Sequence, residues 1–194
     1  MKTVFVDVDT QLDFLYPAGA LYVPGAEHIV TAVERLNRYA AANGIPVVST
    51  TDAHEEDDPE FQVWPPHCIA GTLGQHKEAA TLLDRRIVVP NRETPVALDA
   101  VQQIIVEKQS TDVFQARGLR RVLEALDADR YVVYGVVTEV CVISAVRGLL
   151  ALNRPVTVVE DAIKELRAED ARRTLEEIRS SGGAITNLSE TCVG

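Results

Sequence analysis

A cysteine at a predicted strand-to-helix junction is the residue of this sequence best suited to nucleophilic chemistry. Residues 131–135 (YVVYG) form an apolar run rich in β-branched and aromatic side chains, and an amphipathic segment begins near Thr138. With Thr138 as the N-cap, Cys141 falls in the first helical turn. There the helix dipole lowers the pKa of a thiol, and unpaired amides can bind an oxyanion. A free cysteine is more often a small buried hydrophobic residue, so this segment alone leaves both interpretations open.

Two charged residues could assist the thiol, because each follows a different predicted strand. Asp9 comes directly after the strand Thr3–Val8, and Lys108 ends the strand predicted at residues 103–107. Lys108 would favour the thiolate, and Asp9 could accept the thiol proton and return it to a leaving amine. Considered singly, Asp9 is an ordinary turn residue and Lys108 an ordinary solvated strand end. Only their shared location at strand ends supports a catalytic role.

A second group of residues has the types and spacing of a metal site. Asp52 and His54 are two apart in an extended segment, so their side chains point the same way. A carboxylate and an imidazole presented together suit a divalent metal. Glu60 and His67 lie in the same long loop and could supply further ligands. The alternative is a solvated acidic loop, EEDDPE, with incidental histidines.

The aromatic residues nearest these polar groups are Phe14 and Trp64. Either ring could stack on a flat substrate, although Trp64 in a proline-flanked loop could equally anchor that loop in the core. Cys68 is a competing soft metal ligand. If the loop is extended there, its side chain points away from the side of His67.

Alternating strands and helices must position all of these residues. Predicted strands cover Thr3–Val8, 46–51, 87–90, 103–107, 131–135, 155–159 and Ala184–Thr186, and predicted helices cover 27–43, 75–85, Leu119–Leu126, a segment from about 138, and 169–181. Continuous apolar strands between helices indicate βαβ units and a parallel sheet covered on both faces. We expect one three-layer α/β/α domain over residues 1–194, with a mostly parallel, doubly wound, Rossmann-like sheet. Ligands of such sheets bind beyond the carboxyl ends of the strands.

Composition limits the classes of function. The 194 residues carry a formal net charge of −10, which argues against nucleic acid or an anionic membrane as a partner. The first nine residues lack the pattern of a signal peptide, and no window is apolar enough to span a membrane. Three cysteines without CxxC spacing predict free thiols in a reducing compartment. We therefore expect a cytoplasmic protein.

Three motifs, in order along the chain, resemble those of the isochorismatase-like cysteine hydrolases. They are VDTQLDF at residues 8–14, TDAH at 51–54 with WPPHCIAGTLG at 64–74, and GVVTEVCVISAVRGLL at 135–150. The resemblance extends over about four-fifths of the chain, and the middle motif is similar to that of the nicotinamidase branch. It implies amide hydrolysis through a covalent thioester on cysteine, and a place in pyridine nucleotide (NAD) salvage.

The resemblance also assigns catalytic roles by position. The catalytic triad of the family matches Asp9, Lys108 and Cys141. The backbone amides that form its oxyanion hole match Val137 and Cys141, and a cis peptide is expected between Val136 and Val137. Asp7 also lies near the end of this strand, but the spacing D-x-Q-x-D-F matches the catalytic carboxylate of the family to Asp9.

The family's metal ligands match Asp52, His54 and His67, with Glu60 at a variable fourth position where many members have histidine. Glu60 would keep a ligand there and make the site more negative. One divalent ion is implied, with Zn²⁺ first and Fe²⁺ or Mn²⁺ also compatible with these ligands. Ring-stacking positions match Phe14 and Trp64. Dimers or tetramers are expected by the same resemblance.

Three alternatives remain open at this stage. The enzyme could hydrolyse another small amide, such as a ureido or maleamate compound, or act on isochorismate. It could be a metal-dependent hydrolase in which bound water is the nucleophile and Cys141 is structural. It could also be a non-catalytic ligand-binding relative, although a binding protein has no need for all three triad groups.

Overall fold

The computed structural model describes residues 1–193, and its core is a seven-stranded, all-parallel sheet in the order β3-β4-β2-β1-β5-β6-β7. The strands are β1 (Thr3–Val8), β2 (Val47–Asp52), β3 (Arg86–Val89), β4 (Gln103–Lys108), β5 (Arg130–Val136), β6 (Val156–Lys164) and β7 (Ala184–Thr186). Every residue of β1 and β2 is buried, as expected for central strands covered on both faces. The α/β prediction is confirmed, and the sheet is parallel throughout.

The helices flank this sheet and are α1 (Leu12–Leu15), α2 (Val30–Ala42), α3 (Leu119–Leu126), α4 (Ile143–Ala151), α5 (Ala168–Ser180) and α6 (Leu188–Thr191). In α2 the buried Val33, Leu36 and Ala40 recur at helical spacing and form the face that packs on the sheet. A single hydrophobic core joins the strands to these helices. In the described part of the chain, no helix has both the length and the apolar character that crossing a membrane requires.

Strand register determines which residues meet at the carboxyl edge of the sheet. Val8 pairs with Thr50 of β2 on one side and with Gly135 of β5 on the other. Asp52 pairs directly with Lys108 across β2 and β4. The chain crosses from one half of the sheet to the other between β4 and β5, so a crevice opens where β1 and β5 end side by side.

The helix predicted over residues 75–85 is wrong. Only a short 3₁₀ turn, Ala79–Thr81, forms there. The preceding residues are extended instead, because Lys77 makes an antiparallel bridge with Gln11 and its ammonium pairs with the buried Asp7. Tertiary pairing overrides the local helical preference of this segment.

Candidate active site

The three residues predicted as a triad meet at the carboxyl edge of the sheet. The Nζ atom of Lys108 lies 2.9 Å from Oδ2 of Asp9 and 3.7 Å from Sγ of Cys141. The same nitrogen lies 2.5 Å from Oδ1 of Asp52. All four side chains are buried, and the Thr50 hydroxyl donates to Oδ1 of Asp9 at 2.7 Å. Lys108 lies 99 positions after Asp9 in the sequence and Cys141 lies 132 positions after it, and the Lys108 ammonium group joins the three in space.

Burial and the ammonium group set the proton affinities of this cluster. Burial raises the pKa of the Cys141 thiol, and the charge of Lys108 opposes that rise. Burial likewise raises the pKa of Asp9, again against Lys108. Burial disfavours the ammonium form of Lys108, but Asp52 and Asp9 outweigh it and hold its pKa well above the ordinary value. Lys108 is therefore a permanent cation, and Asp9 is the group whose environment suits it to exchange a proton with the thiol.

The turn that carries Cys141 differs from the predicted one. Thr138 is not the N-cap: Val137 occupies that position, and the first turn, Thr138–Val142, is π-helical before α4 begins. The amides of Val140 and Val142 both donate to the Val137 carbonyl. The i to i−5 bond from Val142 takes the acceptor that the Cys141 amide would use in an α-helix. The peptide between Val136 and Val137 is cis, as the family resemblance implied.

Asp52, His54 and His67 form a compact group with the character of a metal site. One potential ligand atom from each lies within 4.8 Å of the others. Nε2 of His54 is 3.8 Å from Oδ1 of Asp52, and Nε2 of His67 is 3.6 Å from its Oδ2. Burial would raise the pKa of Asp52, but Lys108 and the two imidazoles lower it, so this carboxyl is ionised. Glu60 lies outside this group of three, although its Oε1 is 4.0 Å from Nε2 of His54.

The residues around the two imidazoles fit a bound cation. Nδ1 of His54 contacts the Asp58 carboxylate at 2.9 Å, and Nδ1 of His67 contacts the Pro65 carbonyl at 2.7 Å. Such contacts keep the proton on Nδ1 and direct the Nε2 lone pair to a metal. Nε2 of His54 is buried and has no hydrogen-bond partner within residues 1–193, which is costly unless an ion completes it. Asp58 was missed in the sequence, where it is one acid among several in EEDDPE.

Two further residues of the first motif hold Asp52 and the segment around Cys68 in place. The Gln11 amide donates to the Asp52 carbonyl at 2.8 Å and accepts from the Asp52 amide at 2.6 Å. Asp13 accepts from the backbone amides of Ala20 and Cys68, at 2.8 and 2.7 Å. Neither residue was assigned a role from the sequence, although both belong to the D-x-Q-x-D-F spacing, because their backbone partners are distant in sequence or carry no side-chain signal. These hydrogen bonds explain why polar residues occupy positions 11 and 13 of the motif.

A cavity lies above the triad and beside the histidines. The carboxylates of Asp9, Asp52 and Glu60 and the sulfur of Cys141 face it. The predicted stacking residues Phe14 and Trp64 both line it, and Phe14 lies 5.4 Å from the His67 ring, centre to centre. The remaining walls are Leu21, Val23, His67, Thr111, Val136, Val137, Val140 and Leu166. No lysine or arginine among the described residues lines this cavity.

The chain belongs to the isochorismatase family, whose domain model matches residues 3–190. The chain is accordingly an isochorismatase-like hydrolase, and its relatives of known structure include amidases. No curated protein sequence matches it significantly.

Solved structures place the fold in the same family. A pyrazinamidase from Pyrococcus horikoshii in complex with zinc is 27% identical, with a TM-score of 0.83 over 96% of this chain and 99% of that one. An N-carbamoylsarcosine amidase from Thermoplasma acidophilum is 25% identical, with a TM-score of 0.78 over 97% of each chain. A nicotinamidase from Bacillus subtilis, 22% identical with a TM-score of 0.83 over 96% of this chain and 100% of that one, shares the fold.

Proposed function

We propose that this protein is a metal-dependent nicotinamidase that hydrolyses nicotinamide, and related aromatic carboxamides, to the acid and ammonia. The observation that carries the proposal is one cavity with the Asp9–Lys108–Cys141 cluster at its base and the Asp52, His54 and His67 group at its side. A carboxamide on an aromatic ring can present its carbonyl carbon to the thiol. Its ring nitrogen can at the same time face the metal ligands.

The charge of the cavity supports a neutral substrate. Asp9, Asp52 and Glu60 face it, and the ammonium of Lys108 already contacts Asp9 and Asp52. A substrate with its own carboxylate, such as N-carbamoylsarcosine, maleamate or isochorismate, would lack a free cationic partner here and would meet like charges. An aromatic carboxamide has no charge, and Phe14 and Trp64 offer it apolar ring surfaces.

The chain's own residues supply the steps of hydrolysis. Asp9 accepts the proton of Cys141, whose thiolate Lys108 stabilises, and sulfur attacks the carboxamide carbon. The amides of Val137 and Cys141 donate to the oxyanion. As the carbon–nitrogen bond breaks, Asp9 returns the proton to the amine, ammonia leaves and a thioester remains. Asp9 then accepts a proton from water, whose oxygen attacks the thioester carbon. As the carbon–sulfur bond breaks, Asp9 returns that proton to the sulfur, so the acid leaves and the Cys141 thiol is restored.

Asp52, His54 and His67 are proposed to hold one divalent metal, with Glu60 as a fourth ligand. A bound metal supplies a Lewis acid that orients the ring and withdraws electrons from it. Zinc is the proposed ion, because two imidazoles and carboxylates are ligands it accepts, and iron and manganese share that preference. The zinc complex of the Pyrococcus pyrazinamidase supports the same choice.

We also propose the cellular setting. Cys68, Cys141 and Cys192 are all unpaired, which favours a reducing, cytoplasmic location. The product acid would enter pyridine nucleotide salvage. Assembly as a homodimer or homotetramer, without a nucleic-acid or membrane partner, completes the proposal.

Ammonia release from nicotinamide tests the function. We expect turnover by the zinc-loaded protein, loss of turnover in Cys141→Ala, and full activity in Cys192→Ser, because Cys192 lies near the carboxyl terminus and does not line the cavity. N-Carbamoylsarcosine and maleamate serve as carboxylate-bearing comparison substrates. Turnover of either in preference to nicotinamide would contradict the proposal, as would an active Cys141→Ala protein.

A further inference from the structure

A second buried ion pair lies close to the active site and has no part in the proposed chemistry. Nζ of Lys77 is 2.6 Å from Oδ2 of Asp7, and both side chains are almost wholly inaccessible. Asn37 donates to the same carboxylate oxygen at 3.0 Å. Burying such a pair gains little stability over an apolar replacement, so its presence calls for another explanation.

Thr10 connects this ion pair to the catalytic aspartate. Its hydroxyl donates to Oδ1 of Asp7 at 2.9 Å and also receives a hydrogen bond from the ammonium of Lys77. Thr10 itself is fully buried. Its side chain is therefore fixed by both members of the pair at once.

The backbone around Thr10 carries two residues that shape the active site. Asp9 precedes it with a positive φ of 50°, and Gln11 follows it and donates from its amide to the Asp9 carbonyl at 2.8 Å. The Thr10 carbonyl accepts from the amide of Glu78 at 2.9 Å. The side-chain amide of Gln11 holds the backbone of Asp52, because its nitrogen donates to the Asp52 carbonyl and its oxygen accepts from the Asp52 backbone N–H. Thr10 is thus the centre of a tight turn between the proton acceptor and the support of a metal ligand.

We propose that Thr10, held by the Asp7–Lys77 ion pair, is a positioning residue that fixes the Asp9 carboxylate against Lys108 and Cys141. A residue with φ in the left-handed region is under strain unless its surroundings hold it. The hydroxyl contacts of Thr10 supply that restraint one residue away from the carboxylate. The inference rests on the proposed role of Asp9 in activating the thiol, and it does not depend on nicotinamide being the substrate.

The test uses Thr10→Val, which has nearly the same shape but no hydroxyl, and Thr10→Ser, which restores the hydroxyl. Ser49→Ala is the matched control, because it removes another buried hydroxyl from the same network, 3.4 Å from Asp7, without touching Thr10. The readout is the rate of alkylation of Cys141 by iodoacetamide, followed by peptide mass mapping. Alkylation of the buried Cys68 in the same samples reports any loosening of the fold.

We expect Thr10→Val to slow Cys141 alkylation by about tenfold or more, because displacement of a catalytic group by about 1 Å costs rates of that order. Thr10→Ser and Ser49→Ala should stay within about threefold of the unaltered protein. The kcat for nicotinamide should fall in parallel with alkylation while KM changes less. If alkylation persists in this pattern but nicotinamide is not a substrate, the positioning role stands and the substrate assignment fails.

Equal effects of Thr10→Val and Ser49→Ala, or an unchanged Thr10→Val, would overturn the proposal. If Thr10→Val does not fold, the double variant Asp7→Asn with Lys77→Met replaces it, because it removes both charges and leaves neither one unpaired. The same loss of about tenfold or more is expected there, for the same reason of misplacement. An unchanged rate of Cys141 alkylation in that double variant would equally overturn the proposal.

Discussion

Replacement of Lys108 by methionine should destabilise the metal-free protein by about 3–5 kcal/mol at neutral pH. The ammonium lies 2.9 Å from Asp9 and 2.5 Å from Asp52. At an effective dielectric constant of about 20, each contact contributes roughly 6 kcal/mol of Coulomb energy, much of which offsets the cost of burial. Methionine fills a similar volume, so the loss comes from two buried carboxylates that no longer have a cation.

The pH dependence of this loss has a definite sign. In the unaltered protein Lys108 and the imidazoles lower the pKa of Asp52, so the stabilisation is present above the unfolded pKa and is lost as the pH falls. Without Lys108, the cation that opposes the effect of burial is gone, so the folded pKa of Asp9, already raised by burial, rises further, and the folded pKa of Asp52 rises as well. The destabilisation is then largest at neutral pH and shrinks as the pH falls and these groups take up protons.

Urea unfolding in the presence of a chelator, at about pH 7.5 and at about pH 5, measures the loss of stability and its change with pH. Lys164→Met is the control, since its partly exposed pair with Glu165 should contribute at most about 1 kcal/mol. A Lys108→Met loss no larger than that of the control, or a loss that is the same at both pH values, would refute the account of Lys108 as the counter-ion of the buried carboxylates.

Two further predictions concern the loop that follows β2 and carries His54 and His67. Asp58→Asn should weaken zinc binding by about 10- to 100-fold, because the contact that orients His54 loses its charge. Calorimetric titration measures the zinc affinity, and an unchanged affinity would show that Asp58 does not support the metal ligands. Gly74→Ala should destabilise the protein by more than Gly71→Ala, because a Cβ on Gly74 would lie 2.2 Å from the Asp13 carboxylate. A Cβ on Gly71 meets no atom within 4 Å, so that variant bears only the backbone strain of a φ of 81°, about 1–2 kcal/mol. Thermal unfolding compares the two, and an equal shift in Tm would contradict the tight packing around Asp13.

Much of the fold could be predicted because strand signals are local. The bounds of β1, β7 and α3 agree with the sequence-based expectation at both ends, and the other strands overlap their predicted ranges. Residues 75–85 could not be predicted in this way. Their conformation depends on pairing with residues 10–13 and on the ion pair between Lys77 and Asp7, which are 70 positions apart.

The candidate site was predictable where residues share a motif or a strand end, and less so where they act through backbone groups. The strand ends and the family resemblance both grouped Asp9, Lys108 and Cys141, and in the structure the Lys108 ammonium lies within 2.9 Å of Asp9 and 3.7 Å of Cys141. The π-helical turn at Cys141 was not foreseen, because its i to i−5 bond has no side-chain signature. Gln11 could not be predicted as a support, because its partner Asp52 is 41 positions away in sequence. Asp58 was not singled out because it is one of several acids close to His54.

Mass spectrometry of the acid-quenched enzyme during turnover of nicotinamide tests the central claim most directly. The account predicts a pyridinecarbonyl group on the peptide that contains Cys141, sensitive to hydroxylamine as a thioester is, and absent from peptides of Cys68 and Cys192. A slow Asp9→Asn variant, in which the proton shuttle is removed, provides a comparison without a change in the nucleophile. Two results together would contradict the assignment of Cys141 as the nucleophile. They are turnover without any adduct on Cys141, and full activity that persists after Cys141 has been alkylated.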